Sequence, residues 1–204
     1  MMWLKNLAET LVFRIAALRA LAAGRAVTAG IVCHVAGYLA YALARGFVYA
    51  SLPEFSSVYG RSGLLSVRLG IELASDLIFL LFLFIPAIVA LSNAFSDDGH
   101  GLSFSVAKYR AHLSVLFPVW GVICLVTAPL QLPLPHFLVI GDIIEISLTY
   151  LLRALLLGIY TFWAVMRLNY LSPTRTFGVF AISALTVPIF FFVLIFVRKL
   201  YEEL

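Results

Sequence analysis

Five apolar stretches, each long enough to cross a bilayer, constrain this chain more than any other feature. A spanning helix needs about 20 mostly apolar residues. The stretches run from about Ala26 to Ala44, Leu77 to Phe95, Leu113 to Leu130, Phe137 to Met166 and Phe177 to Val197. The second contains the unbroken run Leu-Ile-Phe-Leu-Leu-Phe-Leu-Phe-Ile. Of 204 residues, 63% are hydrophobic and 12% charged, and the mean hydropathy is +1.06. A soluble domain has about half apolar and a quarter charged residues, and a chain this short has little interior to hide the excess. An ordinary soluble globule, a disordered chain and a nucleic-acid module are therefore excluded. The expected fold class is an all-α integral membrane bundle of five transmembrane helices, residues 26–204, preceded by an amphipathic interfacial helix in residues 1–25.

That amphipathic start follows from periodicity. At about 100° per residue, Trp3, Leu4, Leu7, Leu11, Ile15, Leu18 and Leu21 share one face. Lys5, Glu9 and Arg19 lie opposite, with Arg14 at the edge. Such a helix lies in the membrane interface with its apolar face in lipid, or packs that face on the protein's own bundle. Ala20-Leu21-Ala22 imitates a signal-peptidase site, but Glu9, Arg14 and Arg19 interrupt the uncharged region such a signal needs. The segment is expected not to span.

Pro86, Pro118, Pro129 and Pro188 fall inside or near the ends of the spans, where kinks are expected. Gln131-Leu-Pro-Leu-Pro135 predicts a tight turn between the third and fourth. No internal repeat of the kind found in inverted-repeat transporters is visible. The net charge of +4 is spread along the chain and reads as loop and interface charge. With the amino terminus inside, the cytoplasmic side holds Lys5, Arg14, Arg19, Arg25, Lys108, Arg110, Arg167 and Arg175. The other side holds Arg45, Arg61, Arg68, Arg198 and Lys199. This bias favours a cytoplasmic amino terminus and an external carboxyl terminus.

Charged residues within apolar stretches are the candidate site. Glu72 and Asp76 are four apart near the outer end of the second stretch, with Arg68 four before Glu72. Asp142 and Glu145 are three apart in the outer part of the fourth, so each acidic pair can share a helix face. Ionisable groups in a membrane are costly and point to function. One reading is a cation or proton site between the second and fourth helices; the other is a set of interfacial carboxylates, wetted or paired with Arg68. Arg153 falls near the middle of the fourth stretch and needs a carboxylate, carbonyls, water or a partner subunit, or it must snorkel. Asp76 and Glu145 are its nearest candidate partners.

A second candidate is a packing face on the first helix. Ala26 and Gly30, then Ala36, Ala40 and Ala44, are spaced by four, which lets another helix approach closely. The partner helix is either in this chain or in a second copy. His34 in the same helix reads as a hydrogen-bonded packing residue. Cys33 and Cys124 lie in apolar runs and read as small buried hydrophobes.

Chemistry-bearing motifs are missing. His34, His100, His112 and His136 are scattered, and no His-Glu-x-x-His or Cys-x-x-Cys occurs. Gly101-Leu102-Ser103-Phe104-Ser105 lacks the glycine a nucleophile elbow requires. Neither an enzyme nor a cofactor is expected.

Two short stretches carry a family resemblance. One is Gly101-Leu102-Ser103-Phe104 with Tyr109-Arg110 following; the other is Leu156 through Tyr170 leading into Leu171-Ser172-Pro173-Thr174-Arg175. With the amphipathic start and five spans, this layout resembles the Ypt-interacting-protein (Yip) family of small polytopic membrane proteins, particularly its bacterial-type members. The resemblance implies a five-span fold, a cytoplasmic amino terminus and a scaffold or accessory role in a bacterial cytoplasmic membrane. The Asp-Leu-Tyr-Gly-Pro element of the eukaryotic branch is missing, as is a long cytoplasmic amino-terminal region. That removes support for binding small trafficking GTPases. The expected partners are membrane lipid and other integral membrane proteins or a second copy, and no nucleic acid. The alternative function is a small transporter or channel subunit using Arg153 and the outer carboxylates, with an intramembrane lipid enzyme a remote third.

Overall fold

The computed structural model describes residues 2–24, 26–51, 62–97, 101–131, 138–140, 144–146, 148–190 and 192–193. Among them, five helical stretches are long and apolar enough to cross a membrane: Val27–Ala44, Gly70–Ala94, Val106–Thr127, Leu151–Leu168 and Pro173–Phe190. The architecture is an all-α, multi-pass membrane bundle.

The amphipathic start is not one helix. It breaks into α1 (Met2–Leu11) and α2 (Ile15–Gly24), with Phe13 at φ 61° between them. A bulky residue in that left-handed region is strained. Aromatic contacts hold it there: the Phe13 ring stacks on Tyr160 with centroids 4.6 Å apart and meets Trp163 edge-on at 5.1 Å. The Tyr160 hydroxyl also donates to the Leu11 carbonyl. Leu7, Leu18 and Leu21 are buried in the bundle's main core, so these members of the apolar face pack on protein.

The first span is α3 (Val27–Ser51). The second comprises α4 (Ser62–Phe79), a π-helical turn Leu80–Phe84, and α5 (Ile85–Ala94). It begins before the expected Leu77, so Glu72 and Asp76 sit well inside a continuous helix. The third span, α6 (Val106–Thr127), is capped by the Ser105 hydroxyl, which accepts from the Lys108 N–H at 3.3 Å. It also starts earlier than hydropathy alone indicated, because its first turns carry Lys108, Arg110 and His112.

The fourth stretch differs most from expectation. Residues 138–146 contain an antiparallel pair, β1 (Leu138–Ile140) and β2 (Ile144–Ile146), and helix α7 runs only from Leu148 to Leu168. An apolar run does not by itself distinguish strand from helix, and this one contains both. The fifth span begins with α8 (Pro173–Ala184), where Ser172 caps the helix and Pro173 takes its first position. Proline is favoured there because its absent N–H would have no partner within the helix. The expected end of this span, together with Arg198 and Lys199, lies outside the described residues.

Helix α6 forms the centre. Residues His112 to Gly121 are buried without interruption, and the main core joins its Val115, Phe117 and Val119 to Leu18 and Leu21 of α2 and Ile85 and Val89 of α5. Against α3 the approach is backbone to backbone. A Cβ built on Gly37 would overlap the Gly121 carbonyl, and one on Gly121 would overlap the Cys33 carbonyl. The face that packs here is Gly30-His34-Gly37-Tyr41, all four buried. Of the expected alanine face, Ala40 and Ala44 lie against the Tyr41–Cys124–Ala128 cluster, Ala26 precedes α3, and Ala36 is exposed. Ala36 is one position out of the heptad-like phase, which turns it away from α6.

A buried polar cluster ties α5, α6 and α7 together at one end. Asn169 donates to His112 Nε2 at 3.0 Å, and His112 Nδ1 donates to the Lys108 carbonyl at 2.7 Å. Lys108 reaches the Asn93 side chain, which in turn donates to the Ser103 carbonyl at 2.7 Å. These partners are helix ends and side chains of the bundle itself, so the cluster serves as a clamp.

Candidate functional site

Helices α3, α4, α6, α7 and α8 surround a partly open cavity of about 260 Å³. Its walls are chiefly apolar, with Phe79, Phe84, Trp120, Leu157 and Phe180 among them. His34, Asp76 and Arg153 line it, together with the titratable Tyr38 and Cys124.

Each has a local reason to be there. His34 lies on the buried glycine-bearing face of α3, where Gly37 and Gly121 draw α6 close. It is 3% exposed, and its ring meets Phe117 edge-on at 4.9 Å. Its Nε2 is 2.8 Å from Asp76 Oδ2. A carboxylate only accepts, so the ring nitrogen is the donor. His34 Nδ1 is buried and has no hydrogen-bond partner among the described residues.

Arg153 enters from α7. Its guanidinium carbon lies 4.1 Å from the centroid of the Tyr41 ring. This is cation–π range, where desolvated pairs contribute about 2 kcal/mol. The Cys124 thiol of α6 lines the same cavity. Below this polar end, Trp120 Nε1 donates to Thr161 Oγ1 at 2.9 Å, and Thr161 donates to the Leu157 carbonyl at 2.6 Å. The polar groups at the bottom of the cavity are thus mutually satisfied.

The structure unites only part of the expected acidic site. Asp76 lines the cavity with Arg153, whereas Glu72, one turn earlier on α4, does not. Glu145 belongs to β2, opposite Val139, and Asp142 lies outside the described residues. Their three-residue spacing makes a shared face only on a helix, and the strand removes that premise. Among the described residues, no three His, Cys, Asp or Glu side chains gather as a metal-binding group.

Sequence reasoning did not place His34, Tyr41, Trp120 or Thr161 in this site. For His34 a signal existed, since Gly30, His34, Gly37 and Tyr41 recur at helical spacing. The alanines one phase away masked it. The chain has no match among protein-family models, among curated proteins or among solved structures.

Proposed function

We propose that this chain is a non-enzymatic integral membrane protein that organises or assists other membrane components, in the manner its resemblance to the Yip family implies. The supporting observation is how unevenly the spans are buried. The Val106–Thr127 span is 72% buried within the chain, against 17–28% for the other four. One central helix holds the molecule together, and the surrounding four keep wide apolar flanks. Exposed Val32, Ile71, Phe82 and Leu155 are examples. Such flanks meet lipid or the helices of other membrane proteins, since the bilayer supplies no hydrophobic penalty for either.

In this reading the amino terminus is cytoplasmic and the membrane is a bacterial cytoplasmic one. Arg19 lies 5.1 Å from the Tyr170 ring centroid and Arg175 pairs with Asp97, so α2, the end of α5 and the start of α8 share one end. The basic residues that the sequence assigns to that end outnumber those it assigns to the other, as the positive-inside rule requires of a cytoplasmic face. Purification in mild detergent should recover a reproducible membrane partner or a second copy. A monodisperse single chain in several lipid backgrounds would overturn the proposal. The transport alternative retains Asp76 and Arg153, and flux in proteoliposomes abolished by Arg153→Ala at unchanged folding would favour it.

A further inference from the structure

We infer that the open groove between the start of α3 and the first turns of α6 binds one anionic phospholipid of the bilayer, its phosphate at Arg110 and an acyl chain along Leu113. This goes beyond the organising role proposed above and stands whether or not a protein partner is recovered.

The groove encloses about 580 Å³ and is lined by Val27 of α3, by Phe104, and by Val106, Tyr109, Arg110 and Leu113 of α6. That volume lies inside the usual range of roughly 300–1,000 Å³ for ligand sites. The four α6 positions recur at i, i+3, i+4 and i+7, so they share one face of the helix. Phe104 packs beside Tyr109 with ring centroids 5.5 Å apart, and the Tyr109 hydroxyl is engaged by the Leu81 carbonyl. Apart from Arg110, the walls therefore offer a guest only apolar surface.

Arg110 supplies the charge. It is exposed, no carboxylate pairs with it among the described residues, and no acidic side chain lines the groove. Other basic side chains at this end are occupied: Lys108 with Asn93, Arg175 with Asp97 and Arg19 with the Tyr170 ring. The start of α3 adds to the positive field. Ala26 precedes Val27 and has no side-chain oxygen to cap the first N–H groups, whose partial charge faces the same groove.

Depth decides between a lipid and an anion from solution. Arg110 is four residues into the Val106–Thr127 span, about 6 Å along the axis. Helical side chains tilt back toward the amino end, and a long arginine carries its charge outward along that line. The guanidinium thus returns to the level of the lipid phosphates, while Leu113, a turn deeper, lies at the level of the acyl chains. A free phosphate gains nothing from the apolar walls. A zwitterionic lipid brings a cationic headgroup that the groove has no carboxylate to receive, whereas one net negative charge balances Arg110. Basic pockets between helices at a membrane face recognise anionic headgroups in this way.

The test is native mass spectrometry of the full chain in mild detergent, titrated with dioleoylphosphatidylglycerol. Dioleoylphosphatidylcholine and inorganic phosphate are the comparators. One phosphatidylglycerol should be retained saturably and more tightly than phosphatidylcholine, and an excess of inorganic phosphate should not displace it. Arg110→Gln should weaken binding by about tenfold or more, the loss expected for one hydrogen bond to a charged group. Arg110→Lys should keep most of it. Val106→Trp fills the groove with Arg110 intact and should cause a comparable loss. Val106 and Arg110 are both exposed, so neither change disturbs the core, and unshifted melting of each variant checks this. Arg14→Gln removes an exposed arginine that does not line the groove and should change nothing. Equal retention of the two lipids, or displacement by inorganic phosphate, would overturn the proposal. So would an unaffected Val106→Trp, or equal losses in Arg14→Gln and Arg110→Gln, because either describes the general attraction of interfacial arginines for lipid.

Discussion

Leu81 has a carbonyl that its own helix cannot satisfy. In the π-helical turn, the Ile85 N–H bonds to the Leu80 carbonyl, five residues back. The next donor in that register would be residue 86, a proline, which has no N–H. Tyr109 supplies the missing partner: its hydroxyl donates to the Leu81 carbonyl at 2.8 Å. Tyr109→Phe should therefore lower the thermal midpoint of the purified chain, corresponding to about 1–2 kcal/mol. In a Pro86→Ala background residue 86 regains an N–H, so the same change should cost measurably less there. Equal losses in both backgrounds would show that the bond does not compensate for the proline. At this scale the sequence was partly legible. Arg153 and Asp76 stood out because charge in an apolar run is rare, and both line the cavity. His34 did not stand out, because its role depends on which face of α3 meets α6. Glu145 looked equivalent to Asp76 only while residues 137–166 were read as one helix.

Elements explain those differences. The polar residues of the stretch 137–166, Asp142, Glu145 and Arg153 among them, are too few to lower its average, so hydropathy merges strands and helix. A finer signal was present in Val139, Ile140, Ile143, Ile144 and Ile146, which are β-branched, and in the Gly141-Asp142 pair between them. Residues 1–24 conceal a break for another reason. Val12-Phe13-Arg14 contains no glycine or proline, and the turn depends on Tyr160 and Trp163, nearly 150 residues away in sequence. The α3–α6 contact rests on glycine. The bare backbones at Gly37 and Gly121 touch, whereas a Cβ on Gly158 would meet only Phe180, at 4.0 Å. Gly121→Ala should force the two helices apart and destabilise the chain by about 1–3 kcal/mol or more, as overpacking does. Gly158→Ala should leave the midpoint unchanged or raise it slightly, since alanine is the better helix former. Melting both variants in detergent makes the comparison, and an unshifted Gly121→Ala would refute the close approach as the seam of the fold.

The whole molecule follows a rule that hydropathy sees only from outside. Apolar length shows that the chain spans the membrane, but core-facing and lipid-facing residues are equally apolar. The central place of α6 is therefore invisible in composition, although its span is the one with most small and polar residues drawn into contact: His112, Ser114, Gly121 and Thr127 are all buried. Orientation has a sequence signal in the basic bias, and the fold shows which segments share an end. The Arg19–Tyr170 and Asp97–Arg175 contacts gather three chain segments at one end of the bundle. Ser103, whose carbonyl is held by Asn93, belongs to that same end. Five spans are an odd number, so a chain that starts there must finish on the opposite side. With Cys33 and Cys124 replaced by alanine, single cysteines placed at Ser103 and at Glu203 should label from opposite sides of sealed vesicles, Ser103 from the cytoplasmic one. Cys33 and Cys124 lie inside α3 and α6, so their removal leaves no competing thiol in the sequence. Labelling of both introduced cysteines from the same side would require an even number of crossings. One of the five helices would then lie along the membrane or turn back within it, and α8, which makes its contacts at the basic end through Arg175, would be the first to re-examine.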